Sequence, residues 1–171
     1  MVNNLLFCQL NQSLRSSQQI LDLADYINTH STTKMFSKGS PSKSSFEGKI
    51  PQWLEAENID YFVKYAKANF KAGQDDVMII RHFGPDLPQF LELCEEMGWR
   101  YYKKKQITGS EASIVILYDL LDFDHEAFTR ARNELIIVTT KENAAKSRLW
   151  KLWKKFDLDI TMKKLVLITN F

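Results

Sequence analysis

Arg15 is the first residue along the chain whose type and surroundings suit phosphate chemistry. It precedes two serines, Ser16 and Ser17, at the start of a stretch with helical periodicity. A guanidinium donates a fork of hydrogen bonds to phosphate oxygens, and the free N–H groups at a helix start favour the same negative charge. The segment therefore predicts an anion site; the plainer alternative is a serine-capped helix beside a solvated arginine.

Two later segments carry residues of the same kind. Gly109 permits a close backbone approach, and Glu111 has a carboxylate that can accept a hydrogen bond from a ribose hydroxyl or a backbone amide. Arg130 and Arg132 lie two residues apart on a predicted short helix, so we expect one to point toward a cleft and the other toward solvent. For Gly109 and Glu111 the alternative is an ordinary turn.

Apolar runs typical of strands alternate along the chain with stretches of helical periodicity. Strands are predicted at residues 5–10, 50–56, 77–81, 99–106, 113–118, 134–140 and 163–169, and helices at residues 16–28, 58–71, 87–97, 124–133 and 143–156. This order favours a mainly parallel sheet covered on both faces, of Rossmann-like or RecA-like topology. Because ligands of such sheets bind beyond the carboxyl ends of the strands, we expect the candidate residues at that edge.

The chain length suits one domain, which we predict to span residues 1–171. Residues 31–49 are rich in serine and lysine and are predicted to form a flexible loop. Pro51 cannot donate to a strand ladder, so the strand that it begins is predicted at a sheet edge. Residues 141–171 are predicted to add a C-terminal helix and strand.

Three segments resemble, in order, motifs of the UvrD-like helicases of superfamily 1. Residues 13–17 are Ser-Leu-Arg-Ser-Ser, and Gln-Ile-Leu-Asp-Leu-Ala follows at 19–24. Residues 108–111 are Thr-Gly-Ser-Glu before an apolar strand. Residues 129–135, Thr-Arg-Ala-Arg-Asn-Glu-Leu, match the family's last motif most specifically. The resemblance covers about residues 5–140 and corresponds to the second RecA-like domain of these helicases only.

The resemblance implies a three-layer RecA-like α/β fold and a set of residue roles. Arg15 and Arg130 correspond to the arginines that reach the γ-phosphate of ATP, the second as an arginine finger. Glu111 corresponds to the glutamate near the nucleotide ribose, and Gly109 is the other candidate cofactor-binding residue. Two guanidiniums would neutralise the charge of a transferring phosphoryl group, which is the main task in phosphoryl transfer.

The chain departs from the family pattern at several points. The aromatic residue that stacks on adenine is Leu14 here, and the motif lysine is Thr108. The large accessory domain of the family is absent. No phosphate-binding loop is found, since residues 37–44 have serine at both required glycine positions. We therefore expect ATP and Mg²⁺ to bind only when a first RecA-like domain is supplied, with neither bound by the chain alone.

The expected partners are single-stranded nucleic acid, DNA rather than RNA, and a chain or segment that carries the first RecA-like domain. Lys105 and Thr108 are the candidate nucleic-acid contacts. One hypothesis is the arginine-bearing half of an ATP-driven motor. A second is a degenerate helicase-like binding module without motor activity, favoured by Leu14 and the missing accessory domain. A third is an unrelated Rossmann-like enzyme that uses Asp122, Asp124 and His125.

Weaker clusters have plain alternatives. Asp124 can simply cap a helix rather than bind a metal, and no metal site is predicted. Asp75 and Asp76 are interpreted as a solvated turn. Residues 146–156 mix tryptophans with basic residues, which suits either a helix packed on the sheet or an anionic partner.

Composition limits the function classes further. The 171 residues are 44% hydrophobic and 26% charged, which excludes a disordered or coiled-coil chain. A net charge of +2 is too small for nucleic-acid binding over the whole surface. The apolar runs are too short to span a membrane and no signal peptide is recognised, so we expect a cytoplasmic or nuclear location without membrane partners. Cys8 and Cys94 are interpreted as reduced thiols.

Overall fold

The computed structural model describes residues 12–13, 15–30, 43–81, 84–122, 124–155 and 163–166. The predicted strand at residues 5–10, Cys8, Leu14 and most of the predicted loop at 31–49 lie outside these ranges. No helix in the described part of the chain combines the length and the apolar character needed to cross a membrane.

The described strands are β1 (Gln12–Ser13), β2 (Lys43–Ser44), β3 (Gln52–Ala56), β4 (Val77–Arg81), β5 (Arg100–Lys103), β6 (Ala112–Tyr118), β7 (Ala131–Thr140) and β8 (Lys163–Val166). The helices are α1 (Gln18–His30), α2 (Ile59–Asn69), α3 (Pro88–Met97), α4 (His125–Phe128), α5 (Lys141–Ala144) and α6 (Arg148–Lys155), with a 3-10 turn at Lys104–Gln106.

Six strands form one parallel sheet in the order β5-β4-β6-β7-β3-β8, and β1 and β2 pair separately. Alternate residues of the central strands enter two separate apolar cores. Ile80 and Leu117 pack beneath α1 and α4, whereas Ile79 and Ile116 pack beneath α2 and α3. This burial on both faces explains the uninterrupted apolar runs. The chain is a three-layer RecA-like α/β fold, as predicted.

Local signals explain where the helices begin and end. The Asn58 side chain accepts a hydrogen bond from the Tyr61 N–H at 3.1 Å and begins α2. Gly98 ends α3 in the left-handed conformation, with φ of 71°, which glycine adopts without strain. Cys94 on α3 is a buried free thiol, as interpreted, and burial raises its pKa to about 11.

Several element predictions differ from the structure. The predicted strand at 99–106 ends at Lys103, where a 3-10 turn begins. The predicted helix at 124–133 is only the four-residue α4, because the chain already extends into β7 at Ala131. The predicted helix at 143–156 is divided into α5 and α6. Leu149 of α6 packs into the core. The strand that follows Pro51 is not at an edge, because β8 pairs along its other side.

Candidate functional site

Five charged side chains converge at the amino ends of the parallel strands. Asp76 directly precedes β4, Arg100 begins β5, Glu111 directly precedes β6, Arg132 lies near the start of β7, and Arg15 precedes α1. We call this group the amino-edge cluster. The expectation of a site at the carboxyl edge was wrong, because both motif segments of the second half run into strands rather than out of them.

Alternating charges link the members of the amino-edge cluster. Arg15 Nε lies 3.4 Å from Glu111 Oε2, and Arg132 NH1 lies 3.9 Å from Glu111 Oε1. Arg132 NH2 also lies 3.1 Å from Asp76 Oδ2, and Arg100 NH2 lies 2.6 Å from Asp76 Oδ1. These side chains are 41–50% exposed, so each pair contributes at most about 1 kcal/mol to stability.

Asp76 is the most constrained member of the cluster. Besides its two arginines, it accepts a hydrogen bond from the Ser113 N–H at 2.9 Å. Burial alone would raise the pKa of Asp76, but the Ser113 and Arg100 hydrogen bonds and the charges of Arg100 and Arg132 outweigh burial and lower it. Asp76 is therefore ionised near neutral pH and holds two guanidiniums in place.

Arg130 has a different environment from Arg132. Its NH2 lies 3.0 Å from Glu126 Oε1, its NH1 donates to the Ser110 carbonyl at 3.3 Å, and its side chain is only 11% exposed. Arg132 is 45% exposed. The two arginines do point to different sides, and Arg130 is largely buried whereas Arg132 is accessible.

The start of α1 is tied directly to the segment that carries both arginines. Ser16 Oγ donates to the Thr129 carbonyl at 3.1 Å, and the Ser17 N–H donates to the Arg132 carbonyl at 2.9 Å. The Gln18 N–H donates to the Phe46 carbonyl at 3.0 Å. The Ser17 and Gln18 N–H groups are thus bonded within the protein and do not form the expected anion site. Ser17 Oγ is buried without a hydrogen-bond partner, so the Ser17 side chain does not cap the helix.

The loop between β5 and β6 carries four of the candidate residues. Lys105 and Thr108 are exposed, and Gly109 has a φ of +79° with open space where a Cβ would lie. Glu111, at the end of the same loop, reaches Arg15. The structure therefore brings Glu111 and Arg15 together and leaves Lys105, Thr108 and Gly109 on the exposed part of that loop.

The acidic segment near α4 has structural contacts. Asp124 Oδ1 accepts from the Ala127 N–H at 3.1 Å, and its other oxygen pairs with Lys104. Asp122 lies 3.6 Å from Arg148. Among the described residues, no group of three or more His, Cys, Asp or Glu side chains could hold a metal ion. Asp124 is therefore the residue that caps the start of α4.

His125 should make the stability of the fold sensitive to mildly acidic pH. Burial lowers its pKa and outweighs the opposing charges of Asp25 and Asp124. The unfolded chain has an ordinary histidine pKa of about 6.5 and therefore binds a proton at His125 more readily than the folded chain does. The free energy of unfolding should thus decrease as the pH falls below about 6.5 and through the lower pKa of the folded state. Urea unfolding at pH 7.5 and at pH 5 should show a smaller pH-induced loss in His125→Gln than in the wild type. Equal losses in the two proteins would contradict this assignment.

Sequence reasoning missed Asp76 and Arg100. An aspartate before a strand has no local signature that separates a turn from an ion-pair centre. The available signal was positional, since Asp76 precedes β4, the strand next to β6, and Arg100 begins β5, the strand on the other side of β4. Their roles follow from the strand order, which brings residues 76, 100 and 111 to one edge.

Similarity to known proteins is found among solved structures. No protein-family model matches the chain, and no curated protein matches it. The chain is similar to the C-terminal domain of a possible DNA helicase from Lactobacillus plantarum WCFS1, known from a crystal structure. The two share 15% sequence identity over 81% of this chain and 96% of that chain, with a TM-score of 0.47.

Proposed function

We propose that the chain is the arginine-bearing second half of a nucleotide-driven nucleic-acid motor of the UvrD-like kind. The half that binds ATP and Mg²⁺ through a phosphate-binding loop would lie on another chain or another segment. In this proposal the chain alone does not hydrolyse ATP, because the sequence contains no phosphate-binding loop.

The observation that carries the proposal is the meeting of the three motif segments at one edge. Glu111 lies between Arg15 and Arg132, while the neighbouring Ser110 carbonyl accepts a hydrogen bond from Arg130. Residues separated by more than a hundred positions in the chain thus surround two consecutive residues of one loop. Their order and types match the motifs that surround a nucleotide in the resembling family.

The exposed guanidinium of Arg15 suits a phosphate supplied by a partner domain. Arg15 is half exposed beside Glu111, and the segment at 129–135 supplies the second guanidinium, for which the resemblance aligns Arg130. Positive charge placed against a transferring phosphoryl group stabilises the charge that develops on it. The chain would bind and orient phosphate oxygens, and Glu111 would lie toward the ribose, with Gly109 in the same loop.

A degenerate binding module without motor activity is the second candidate. Arg130 supports it, because both terminal nitrogens of its guanidinium already contact Glu126 and Ser110. An arginine in such contacts serves the fold. In that case nucleic-acid binding, or protein binding, would persist without any dependence on nucleotide.

Single-stranded DNA binding by the purified chain tests the proposal. We expect a labelled oligothymidylate to bind weakly, with affinity that falls as salt rises, and a fluorescent ATP analogue to show negligible binding at micromolar concentration. Lys105→Ala should weaken DNA binding and reduce the salt slope by about one phosphate contact. Lys64→Ala, which removes an exposed lysine from α2, is the matched control and should change neither.

Two outcomes would overturn the proposal. ATP hydrolysis by the chain alone would mean that the nucleotide site lies elsewhere. DNA binding that is absent, or equally weakened by Lys105→Ala and Lys64→Ala, would remove the nucleic-acid role of the β5–β6 loop.

A further inference from the structure

We propose that Arg132, rather than Arg130, joins Arg15 in binding the polyphosphate of a nucleotide, and that Glu111 holds the two guanidiniums in place until the polyphosphate displaces it. The inference deepens the proposed function and rests on it. It assigns the phosphate contact to a residue other than the one that the resemblance aligns.

Arg130 is committed to the protein. Its NH2 reaches Glu126 and its NH1 reaches the Ser110 carbonyl, at 3.0 and 3.3 Å, and the side chain is 11% exposed. Its Nε is buried without a hydrogen-bond partner. To reach a phosphate from a partner domain, Arg130 would have to give up both contacts and expose Glu126. Its position is that of a brace between α4 and the β5–β6 loop.

Arg132 is accessible and anchored at one nitrogen only. Its NH2 lies 3.1 Å from Asp76 Oδ2, and its NH1 lies 3.9 Å from Glu111 Oε1. Its carbonyl accepts from the Ser17 N–H at 2.9 Å, so its backbone is fixed next to Arg15. An arginine that is anchored at one nitrogen and loosely engaged at the other can exchange the loose contact without losing its orientation.

The Glu111 carboxylate occupies the position that an incoming anion would take. Arg15 approaches Oε2 at 3.4 Å, and Arg132 approaches Oε1 at 3.9 Å. Tight charge-assisted pairs are about 2.7–2.9 Å apart, so both contacts are loose. Since the side chains that form these contacts are also about half exposed, a polyphosphate, which carries more negative charge than one carboxylate, can replace Glu111.

Charge supports the exchange. Arg15, Arg100 and Arg132 carry three positive charges against the two negative charges of Asp76 and Glu111. Arg100 NH2 lies 2.6 Å from Asp76 Oδ1 and donates to the Glu111 carbonyl at 2.8 Å, so Arg100 holds these two residues in place. The cluster therefore attracts anions, and removal of the Glu111 charge should strengthen that attraction.

Titration of the full chain with tripolyphosphate at low ionic strength, followed through amide chemical shifts, tests the inference. We expect wild-type binding in the millimolar range, a loss of about tenfold in Arg132→Ala, and a change within about twofold in Arg130→Ala. Glu111→Gln should raise affinity by about threefold to tenfold. This gain cannot arise from a folding defect. Arg148→Ala is the control: it removes an exposed arginine that does not belong to the amino-edge cluster, and it should leave the tripolyphosphate affinity unchanged.

Several results would overturn the inference: no wild-type binding, an Arg130→Ala loss equal to that of Arg132→Ala, a similar loss in Arg148→Ala, or no gain in Glu111→Gln. Its failure can be told from failure of the proposed function. Tripolyphosphate affinity that does not depend on Arg132, together with intact, Lys105-dependent DNA binding, rejects only the assignment of Arg132. Hydrolysis of ATP by the chain alone rejects the proposed function whatever the tripolyphosphate result.

Discussion

Asp124→Ala is expected to lower the free energy of unfolding by about 2–4 kcal/mol. The Asp124 side chain is 8% exposed, and its two oxygens serve different partners. One accepts the Ala127 N–H at 3.1 Å and begins α4, and the other pairs with Lys104. Alanine removes a helix cap and also leaves the ammonium of a mostly buried lysine with the more distant Glu126, 3.7 Å away.

Asp124→Asn separates the two contributions. It keeps a carbonyl oxygen for the Ala127 N–H but removes the negative charge opposite Lys104, so we expect a loss of stability between those of wild type and Asp124→Ala. Urea unfolding followed by circular dichroism at neutral pH measures all three proteins. An alanine variant within about 0.5 kcal/mol of the wild type, the range of neutral surface changes, would refute a structural role for Asp124. It would also reopen a catalytic role.

Gly48→Ala is the second substitution with a large expected effect, a destabilisation of about 1–3 kcal/mol. A Cβ at residue 48 would lie 2.6 Å from the Asn133 carbonyl oxygen and 2.6 Å from Ser17 Cβ. Neither neighbour can move easily, because Asn133 belongs to β7 and Ser17 is buried at the start of α1. The added methyl group must therefore push apart the segments that carry Arg132 and Arg15.

The surrounding hydrogen bonds make the effect specific to this junction. The Gly48 N–H donates to Gln19 Oε1 at 2.8 Å, and the Lys49 N–H donates to the Asn133 carbonyl at 2.9 Å. Ser45→Ala, at an exposed position of the same segment, is the control and should stay within about 0.5 kcal/mol of wild type in thermal and urea unfolding. If both variants were equally stable, the close approach at Gly48 would not be a packing constraint.

Periodicity along the chain was sufficient to predict most of the elements. The strand predicted at residues 77–81 is β4 without change, and α3 ends at the glycine that the sequence indicates, Gly98. These signals are local. A strand buried on both faces needs a continuous apolar run, and a helix needs apolar residues on one side and an end signal, so neighbouring residues carry the information.

Boundaries that depend on distant partners were less predictable. Residues 131–133 look helical because charged residues follow the short α4, yet the sheet recruits them. Ala131 pairs with Ala112 at the start of β6. The strand after Pro51 looked like an edge strand, but β8 arrives from the far end of the chain to cover it. In both cases a tertiary contact outweighs the local preference.

The chemistry of the site follows the same division. The residue types at 15, 111, 130 and 132 already predict anion binding, because three guanidiniums and a carboxylate occur in an order that resembles the motifs of one family. The sequence cannot say that Asp76 joins them, or that Arg130 is largely buried while Arg132 is accessible. Two arginines two positions apart are equivalent in a linear pattern. They become different only when α4, the β5–β6 loop and the start of α1 pack around them, since burial and charge pairing depend on residues far apart in the chain.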